Sequence, residues 1–97
     1  MSYTVETTFT KPASAKWFAQ MHPRLAKKFG RVDKARAIGL ESRTVNKIDD
    51  NTLVVTSIWA SEADYQAFLG RRGVAGADAI RSTYAQNNGI TIASRAV

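Results

Sequence analysis

The sequence predicts an α+β fold of the ferredoxin-like type, with a four-stranded antiparallel sheet and two helices on one of its faces. Segments with the two-residue alternation of strands and segments with helical spacing follow one another in the order βαββαβ. The chain has 97 residues, 44% of them apolar, which suits one compact domain over residues 1–97. No linker, internal repeat or low-complexity run separates the elements. This order and length together predict the fold.

The first strand and the first helix account for the N-terminal third of the chain. Tyr3 to Phe9 alternates apolar and polar positions, which predicts a half-buried strand. Pro12 suits the first turn of a helix, and Gly30 is a natural helix end. Pro23 lacks an N–H group, so we predict a kink near His22. The apolar face of this helix comprises Phe18, Met21, Leu25 and Phe29.

A hairpin is predicted in the middle of the chain. Ala35 to Ile48 resembles a long second strand whose alternation slips, indicating a bulge or bend at Glu41 to Arg43. Asp49 to Asn51 is a turn signal. Thr52 to Ala60 is rich in β-branched residues and forms the third strand.

The second helix and the last strand follow the hairpin. Ser61 with Asp64 three residues later is a helix-capping pattern. Gly70 to Gly76 contains three glycines and should interrupt the helix, and Asn87 to Gly89 should end it. Ile90 to Ala96 is the last strand. The inward face of this helix begins with Tyr65, Phe68 and Leu69.

Composition excludes several classes of protein. The chain has no cysteine, so disulfide scaffolds, thiolate zinc sites and cysteine nucleophiles are excluded. No run approaches the ~20 apolar residues of a membrane span, and the N-terminal segment lacks the pattern of a signal peptide. We therefore expect a cytoplasmic protein with no membrane partner.

The net charge of +6 is concentrated in one segment. Six basic residues and one acid lie between Arg24 and Arg36. On a continuous helix, Trp17 would share a side with three of these cations, which suggests a phosphate-rich or acidic partner. A solvated helix face is the commoner explanation. We define the basic patch as Arg24, Lys27, Lys28 and Arg31.

The second face of the sheet has no predicted helix to cover it. Several strand residues are too apolar for both faces to be solvated, which favours sheet-to-sheet packing in a homodimer. These residues are Val54, Ile58, Ile38 and Leu40.

A short segment carries a family resemblance. A strand that ends in Ile58 and Trp59, followed by the helix-capping segment Ala60 to Phe68, resembles the antibiotic-biosynthesis monooxygenase-like family of dimeric α+β barrels. The resemblance implies a dimer whose sheets form a barrel, with a pocket in each subunit between sheet and helices. It also implies a cofactor-independent oxygenase, in which a positioned phenolic substrate itself activates oxygen.

The haem-degrading members of this family differ from this chain. They carry an Asn on the first strand, a second Trp in this helix and a His beyond the helix break. The corresponding positions here are Glu6 or Thr7, Phe68, and a residue close to Asp78. The haem ligand is missing, so we expect no haem and no other cofactor. No His or carboxylate spacing predicts a metal site.

The candidate catalytic residues are His22, Trp59 and Tyr65. His22 is the only histidine, which makes it the general-base candidate. Because it precedes Pro23, the alternative is that it marks a kink, with its imidazole hydrogen-bonded locally or solvated. Trp59 and Tyr65 could contact a substrate or simply fill the core. The candidate pocket-binding residues are Arg36, Arg43 and Tyr84: either arginine could bind a carboxylate or an enolate oxygen, and surface ion pairing is the alternative.

Three functions are compatible with the sequence. The first is a cofactor-independent monooxygenase, or a related isomerase-like enzyme, acting on a small aromatic or carbonyl compound. The second is a noncatalytic barrel used as a binding or assembly unit. The third is a nucleic-acid-binding module that uses the segment from Arg24 to Arg36, although the third strand lacks the aromatic pattern of RNA-binding sheets.

Overall fold

The computed structural model describes residues 2–27 and 32–97, with the backbone alone for residues 32–34. The strand order is β2-β3-β1-β4 and neighbouring strands are antiparallel, which confirms the predicted ferredoxin-like sheet. In chain order the elements are β1 (Tyr3–Thr10), α1 (Phe18–Met21), α2 (Pro23–Ala26), α3 (Val32–Ile38), β2 (Leu40–Asp49), β3 (Thr52–Trp59), α4 (Glu62–Leu69), α5 (Arg72–Asn87) and β4 (Thr91–Ala96).

Strand β1 lies in the centre of the sheet. It pairs with β3 along its whole length, from Tyr3 opposite Trp59 to Thr10 opposite Thr52, and with β4 on its other side. Because side chains alternate along a strand, Val5 and Trp59 lie on the same face as the helices, and both are buried. This alternation decides which strand residues can line a site beneath the helices.

Strand β2 is shorter than predicted. It begins at Leu40, and Ala35 to Ile38 belong to α3. The spacing of Ala35 and Ile38 also fits a helix, and Gly39 donates its N–H to the Ala35 carbonyl at 3.0 Å. A glycine directly after apolar residues with this spacing is a helix-end signal. Here this signal outweighs the strand propensity of Ala35 to Ile38. The predicted bulge is confirmed, because the register shifts between Leu40 and Ser42.

The first helical region is a series of short helices. Pro12 precedes it and is not helical, so the predicted helix start there is wrong. The predicted kink is a complete break: α1 ends at Met21, His22 has φ −134° and ψ 63°, and α2 begins at Pro23. Proline favours a first helical position because its missing N–H needs no partner there. Phe29 and Gly30, where the helix was predicted to continue and end, lie outside the described residues.

The second half of the chain follows the prediction closely. The Asn51 N–H donates to Asp49 Oδ1 at 2.8 Å in the hairpin turn, and the Asp64 N–H donates to Ser61 Oγ at 3.1 Å at the start of α4. The interruption after Leu69 is confirmed but short, because α5 runs without a break from Arg72. Gly89, with φ +67°, follows the end of α5.

The core lies between the sheet and helices α3, α4 and α5. Trp59 is 3% exposed and is its central ring. Tyr3 and Tyr65 are partly buried and pack against the edge of this core. The buried cluster consists of Ala35, Leu40, Trp59, Phe68 and Val74.

The opposite face of the sheet carries mostly threonine and β-branched apolar residues. Of the residues that predicted an apolar second face, Val54 and Ile58 do lie on it, at positions that alternate with the buried face. Leu40 instead belongs to the core, and Ile38 belongs to α3. The described residues of β1 and β3 on this face are Thr4, Glu6, Thr8, Thr10, Thr52, Val54, Thr56 and Ile58.

Candidate functional site

A cavity of about 120 Å³ lies between the sheet and the helices. The sheet supplies residues from the helix-covered face, and α3, α4 and α5 supply the rest. The sequence places them there by strand alternation and by the inward faces of the helices. The sheet contributes Thr7, Phe9, Leu40, Arg43, Val55, Ser57, Trp59 and Ser94, and the helices contribute Ala35, Tyr65, Phe68, Leu69 and Arg81.

A second cavity of about 190 Å³ adjoins the first. It extends towards Trp17 and Phe18. Neither cavity alone reaches the ~300 Å³ of a typical small-molecule site. A ligand that occupied both would have that space, because the two cavities share part of their walls. The shared residues are Phe9, Arg43, Val55 and Arg81.

Aromatic rings form one end of the first cavity. The Trp59 ring centroid lies 5.3 Å from that of Phe68 and 5.6 Å from that of Tyr65. The Trp59 indole N–H donates to Ser57 Oγ at 3.0 Å, within the same strand. These contacts hold the indole in place and use its only donor. Trp59 therefore forms a wall of the cavity and also fills the core.

The Tyr65 phenol lies at the edge of this aromatic wall. Burial raises the pKa of Tyr65, the nearby Tyr3 raises it further, and the positive charge of Arg81 works in the opposite direction. The group is therefore a neutral phenol at physiological pH. A neutral phenol both donates and accepts hydrogen bonds, so it can orient an oxygen atom of a ligand.

Two guanidinium groups reach the wall that the cavities share. The bulge after Leu40 reverses the alternation of β2, so Arg43 faces the helices instead of the open side of the sheet. Burial lowers the pKa of Arg43. Arg81 projects from α5, donates from Nη2 to Asp78 Oδ1 at 2.8 Å, and has its Cζ 5.5 Å from the centroid of the Phe9 ring. The shared wall is therefore positively charged.

His22 does not lie in this cavity, contrary to the expectation that it could share one with Trp59. Its exposed ring lies 5.1 Å from Phe18 and 5.7 Å from Tyr84, centroid to centroid, in a separate surface depression. The reason is that the helix is interrupted at His22. A continuous helix was expected to point the imidazole towards the sheet, and α1 ends one residue before it.

Two other predicted pocket residues also lie elsewhere. Tyr84 donates its hydroxyl hydrogen to the Lys16 carbonyl at 2.6 Å and borders the His22 depression. Arg36 is exposed on α3, because this part of the chain is helical and is not a strand. Of the predicted residues, the structure brings together Trp59, Tyr65 and Arg43.

Arg81 is the cavity residue that the sequence interpretation missed. It lies in the buried stripe of α5, four residues after Ala77 and four before Ala85. A charged residue within an apolar helical stripe was the signal that could have identified it. The Thr7 and Ser94 hydroxyl groups, 2.8 Å apart across β1 and β4, were also missed.

The basic patch is described only in part. Arg24 and Lys27 are exposed, whereas Lys28 and Arg31 lie outside the described residues. The break at His22 means that Trp17 does not share one continuous helix face with Arg24. Trp17 instead borders the second cavity, with Lys11 Nζ 5.5 Å from its ring centroid.

Within residues 2–27 and 32–97, no three His, Cys, Asp or Glu residues are grouped so that they could hold a metal ion. No helix in the same ranges has the length and apolar character needed to cross a membrane.

Several solved structures have the same fold. Rv0793 from Mycobacterium tuberculosis is similar with a TM-score of 0.72 and 15% identity, over 100% of this chain and 93% of that one. A dimeric ferredoxin-like protein from an uncultured marine organism gives 0.65 and 14%, over 99% and 94%. SnoaB, a cofactor-independent oxygenase from Streptomyces nogalater, gives 0.57 and 16%, over 99% and 90%.

Similarity to other proteins is confined to structure. No protein-family model and no curated protein sequence matches the chain. Candidate antibiotic biosynthesis monooxygenases from Chloroflexus aurantiacus and Deinococcus radiodurans are among the similar structures. The predicted resemblance is therefore confirmed at the level of the fold, while identities this low carry no activity with them.

Proposed function

We propose that the protein is a cofactor-independent monooxygenase that acts on a small, electron-rich aromatic compound in the cavity beneath the helices. The observation that carries the proposal is the cavity itself, in which an aromatic wall, a neutral phenol and a guanidinium group converge at Trp59, Tyr65 and Arg43. SnoaB, whose fold is similar, is a cofactor-independent oxygenase. The cavity provides the elements that such chemistry needs without a resident redox group.

The proposed reaction oxidises a phenol to a quinone with dioxygen. One oxygen atom enters the ring as a carbonyl group and the other leaves as water. The substrate supplies all four electrons, so no external reductant is required. The protein needs only to bind the ring, favour its ionised form and exclude bulk water.

Each cavity residue has a distinct part in this proposal. Trp59 forms the wall against which the substrate ring packs. The Arg43 guanidinium stabilises negative charge on the substrate oxygen, and the Tyr65 hydroxyl donates a hydrogen bond to it. His22 has no part in the reaction, because it lies outside the cavity.

Oxygen consumption by purified protein tests the activity. Candidate phenols and hydroxyquinones are supplied without flavin or metal, and uptake is measured with an oxygen electrode. The expected result is one O₂ consumed for each quinone formed, with one labelled atom from ¹⁸O₂ in the product. Uptake that does not exceed the rate without protein, for every compound tested, contradicts the proposal.

We expect Tyr65→Phe to lower kcat/KM by about tenfold, the value of one hydrogen bond to a developing charge. Tyr84→Phe is the matched control, because its hydroxyl group is bonded to the Lys16 carbonyl outside the cavity. It should leave kcat/KM unchanged. Equal losses in the two variants would contradict the role given to Tyr65, and His22→Ala provides a second control.

The proposed assembly is a homodimer that forms through the open face of the sheet. Val54 and Ile58 lie on this face, which none of the described helices covers, and one protein of similar fold is a dimer. Light scattering should give twice the 10.6 kDa of one chain. Ile58→Lys should raise the dimer dissociation constant at least about tenfold, whereas Gln86→Lys, on an exposed turn of α5, should not. A monomeric wild-type protein contradicts this assembly.

A noncatalytic binding unit is the second candidate function. The observation that favours it is that the Trp59 indole N–H already donates to Ser57 Oγ, so this ring has no donor left to act on a ligand. Ligand binding without oxygen uptake would support this candidate. Nucleic-acid binding by the sheet is not proposed, because β1 and β3 place no aromatic residue on the open face.

A further inference from the structure

The wall shared by the two cavities carries positive charge without a carboxylate opposite to it. Arg43 and Arg81 both line both cavities, and no Asp or Glu is among the described lining residues of either. Positive charge that is partly removed from water is costly unless an anion neutralises it, and of the two groups Arg81 has such a partner in Asp78. This excess of positive charge bears on the charge of the ligand that the cavity would bind.

Arg43 differs from Arg81 in its contacts with other protein groups. It has no hydrogen-bond or ion-pair partner within the described part of the chain. Its neighbour on the same strand, Lys47, is paired with Asp50 at 3.2 Å, and Arg95 is paired with Glu6 at 3.1 Å. Partial burial lowers the pKa of Arg43, which indicates a desolvation cost that no carboxylate among the described side chains offsets. A ligand anion would provide the missing interaction.

Arg81 is held in a fixed orientation on the same shared wall. Asp78 binds its Nη2 at 2.8 Å from the same helix, and its guanidinium lies over the Phe9 ring. Asp78 is not a lining residue. The ion pair therefore positions Arg81 while its positive charge still borders the cavity.

We propose that the cavity selects compounds in which one aromatic ring carries a planar anionic oxygen group, either a carboxylate or a phenolate, held by Arg43 and Arg81. The aromatic part packs against Trp59, and a cavity of about 120 Å³ matches a single ring in size. Arginine suits such groups because its planar donors match two oxygen atoms at once. This inference rests on the proposed function only in that the cavity is a ligand site.

Paired probes test the inference by calorimetry at neutral pH. 4-Hydroxybenzoate and its methyl ester share the phenol ring and differ in the carboxylate charge. We expect the anion to bind about tenfold more tightly than the ester. A third probe, 4-nitrophenol, reports its own ionisation by absorbance, so a shift of its titration to lower pH on binding identifies a phenolate site.

Arg43→Gln should abolish the preference for the anion, and Arg43→Lys should keep part of it. Lys47→Gln is the matched control, because it removes the same charge from the same strand outside the cavity. Circular dichroism establishes that the variants are folded. Equal affinity for anion and ester, no binding of any probe, or an unchanged preference in Arg43→Gln overturns the inference.

The oxygenase proposal can fail separately from this inference. Selective anion binding without oxygen uptake would support the inference and contradict the oxygenase. Oxygen uptake with neutral phenols, combined with no preference for anions, would overturn the inference and leave the oxygenase in place.

Discussion

Trp59→Ala is expected to lower the free energy of unfolding by about 3–5 kcal/mol, the usual cost of truncating a buried tryptophan. The ring is 3% exposed and contacts both Tyr65 and Phe68. Its removal would leave a void that joins the existing cavity and would detach α4 from the sheet. Urea denaturation followed by circular dichroism measures the change.

Trp17→Ala is the matched control for this substitution. It deletes the same side chain at a half-buried position, where the recorded ring contact is with Lys11. We expect it to cost less than half as much as Trp59→Ala. Similar costs for the two substitutions would mean that Trp59 is not the central ring of the core. Trp59→Phe should lie between the two, because it keeps one aromatic ring but loses the second ring of the indole and the hydrogen bond to Ser57.

The fold was predictable from the sequence wherever one local signal was unopposed. The alternation of β1, the Ser61 cap and the turn at Asp49 to Asn51 all depend on neighbouring residues, and all three appear as predicted. The error at Ala35 to Ile38 arose where helical and strand spacing both fitted the residues. The helix-end signal of Gly39 decided the outcome there, and the resulting helix buries Ala35 in the core.

The candidate site was less predictable, because it depends on orientation across several elements. The structure brings Trp59 and Tyr65 together at the cavity, although the sequence alone did not decide which face of the sheet Trp59 occupies. His22 lies at the break between two helices, so the helical spacing that would direct it inwards does not apply. Arg43 faces the cavity through a single-residue bulge, which alternation alone cannot resolve.

Gly39 is the backbone position on which this geometry depends. It connects α3 to β2 immediately before the bulge, has φ +145°, and accepts a hydrogen bond from the Ala60 N–H at 2.8 Å. Only glycine adopts this conformation without strain. A Cβ atom there would overlap Asp64 Oδ2 and would lie 2.8 Å from Asp64 Cβ, which is fixed to α4. The backbone at Gly39 therefore has no space for a side chain.

We expect Gly39→Ala to destabilise the protein by about 2–4 kcal/mol, from backbone strain and overlap together. Gly76→Ala is the control of opposite sign: it lies inside α5 with open space around it, so alanine should stabilise the fold by about 0.5–1 kcal/mol. Chemical denaturation of both variants gives the comparison.

A double variant separates the two causes at Gly39. Asp64→Ala removes Oδ2 and Cγ but leaves Cβ, so in its background Gly39→Ala should recover only part of the lost stability. Full recovery would mean that overlap with the Asp64 carboxylate alone limits this position, and no recovery would assign the cost to the backbone conformation together with the remaining contact with Cβ of residue 64. Because Gly39 sets the start of β2, we also expect Gly39→Ala to weaken the anion preference that depends on Arg43, while Gly76→Ala leaves it intact.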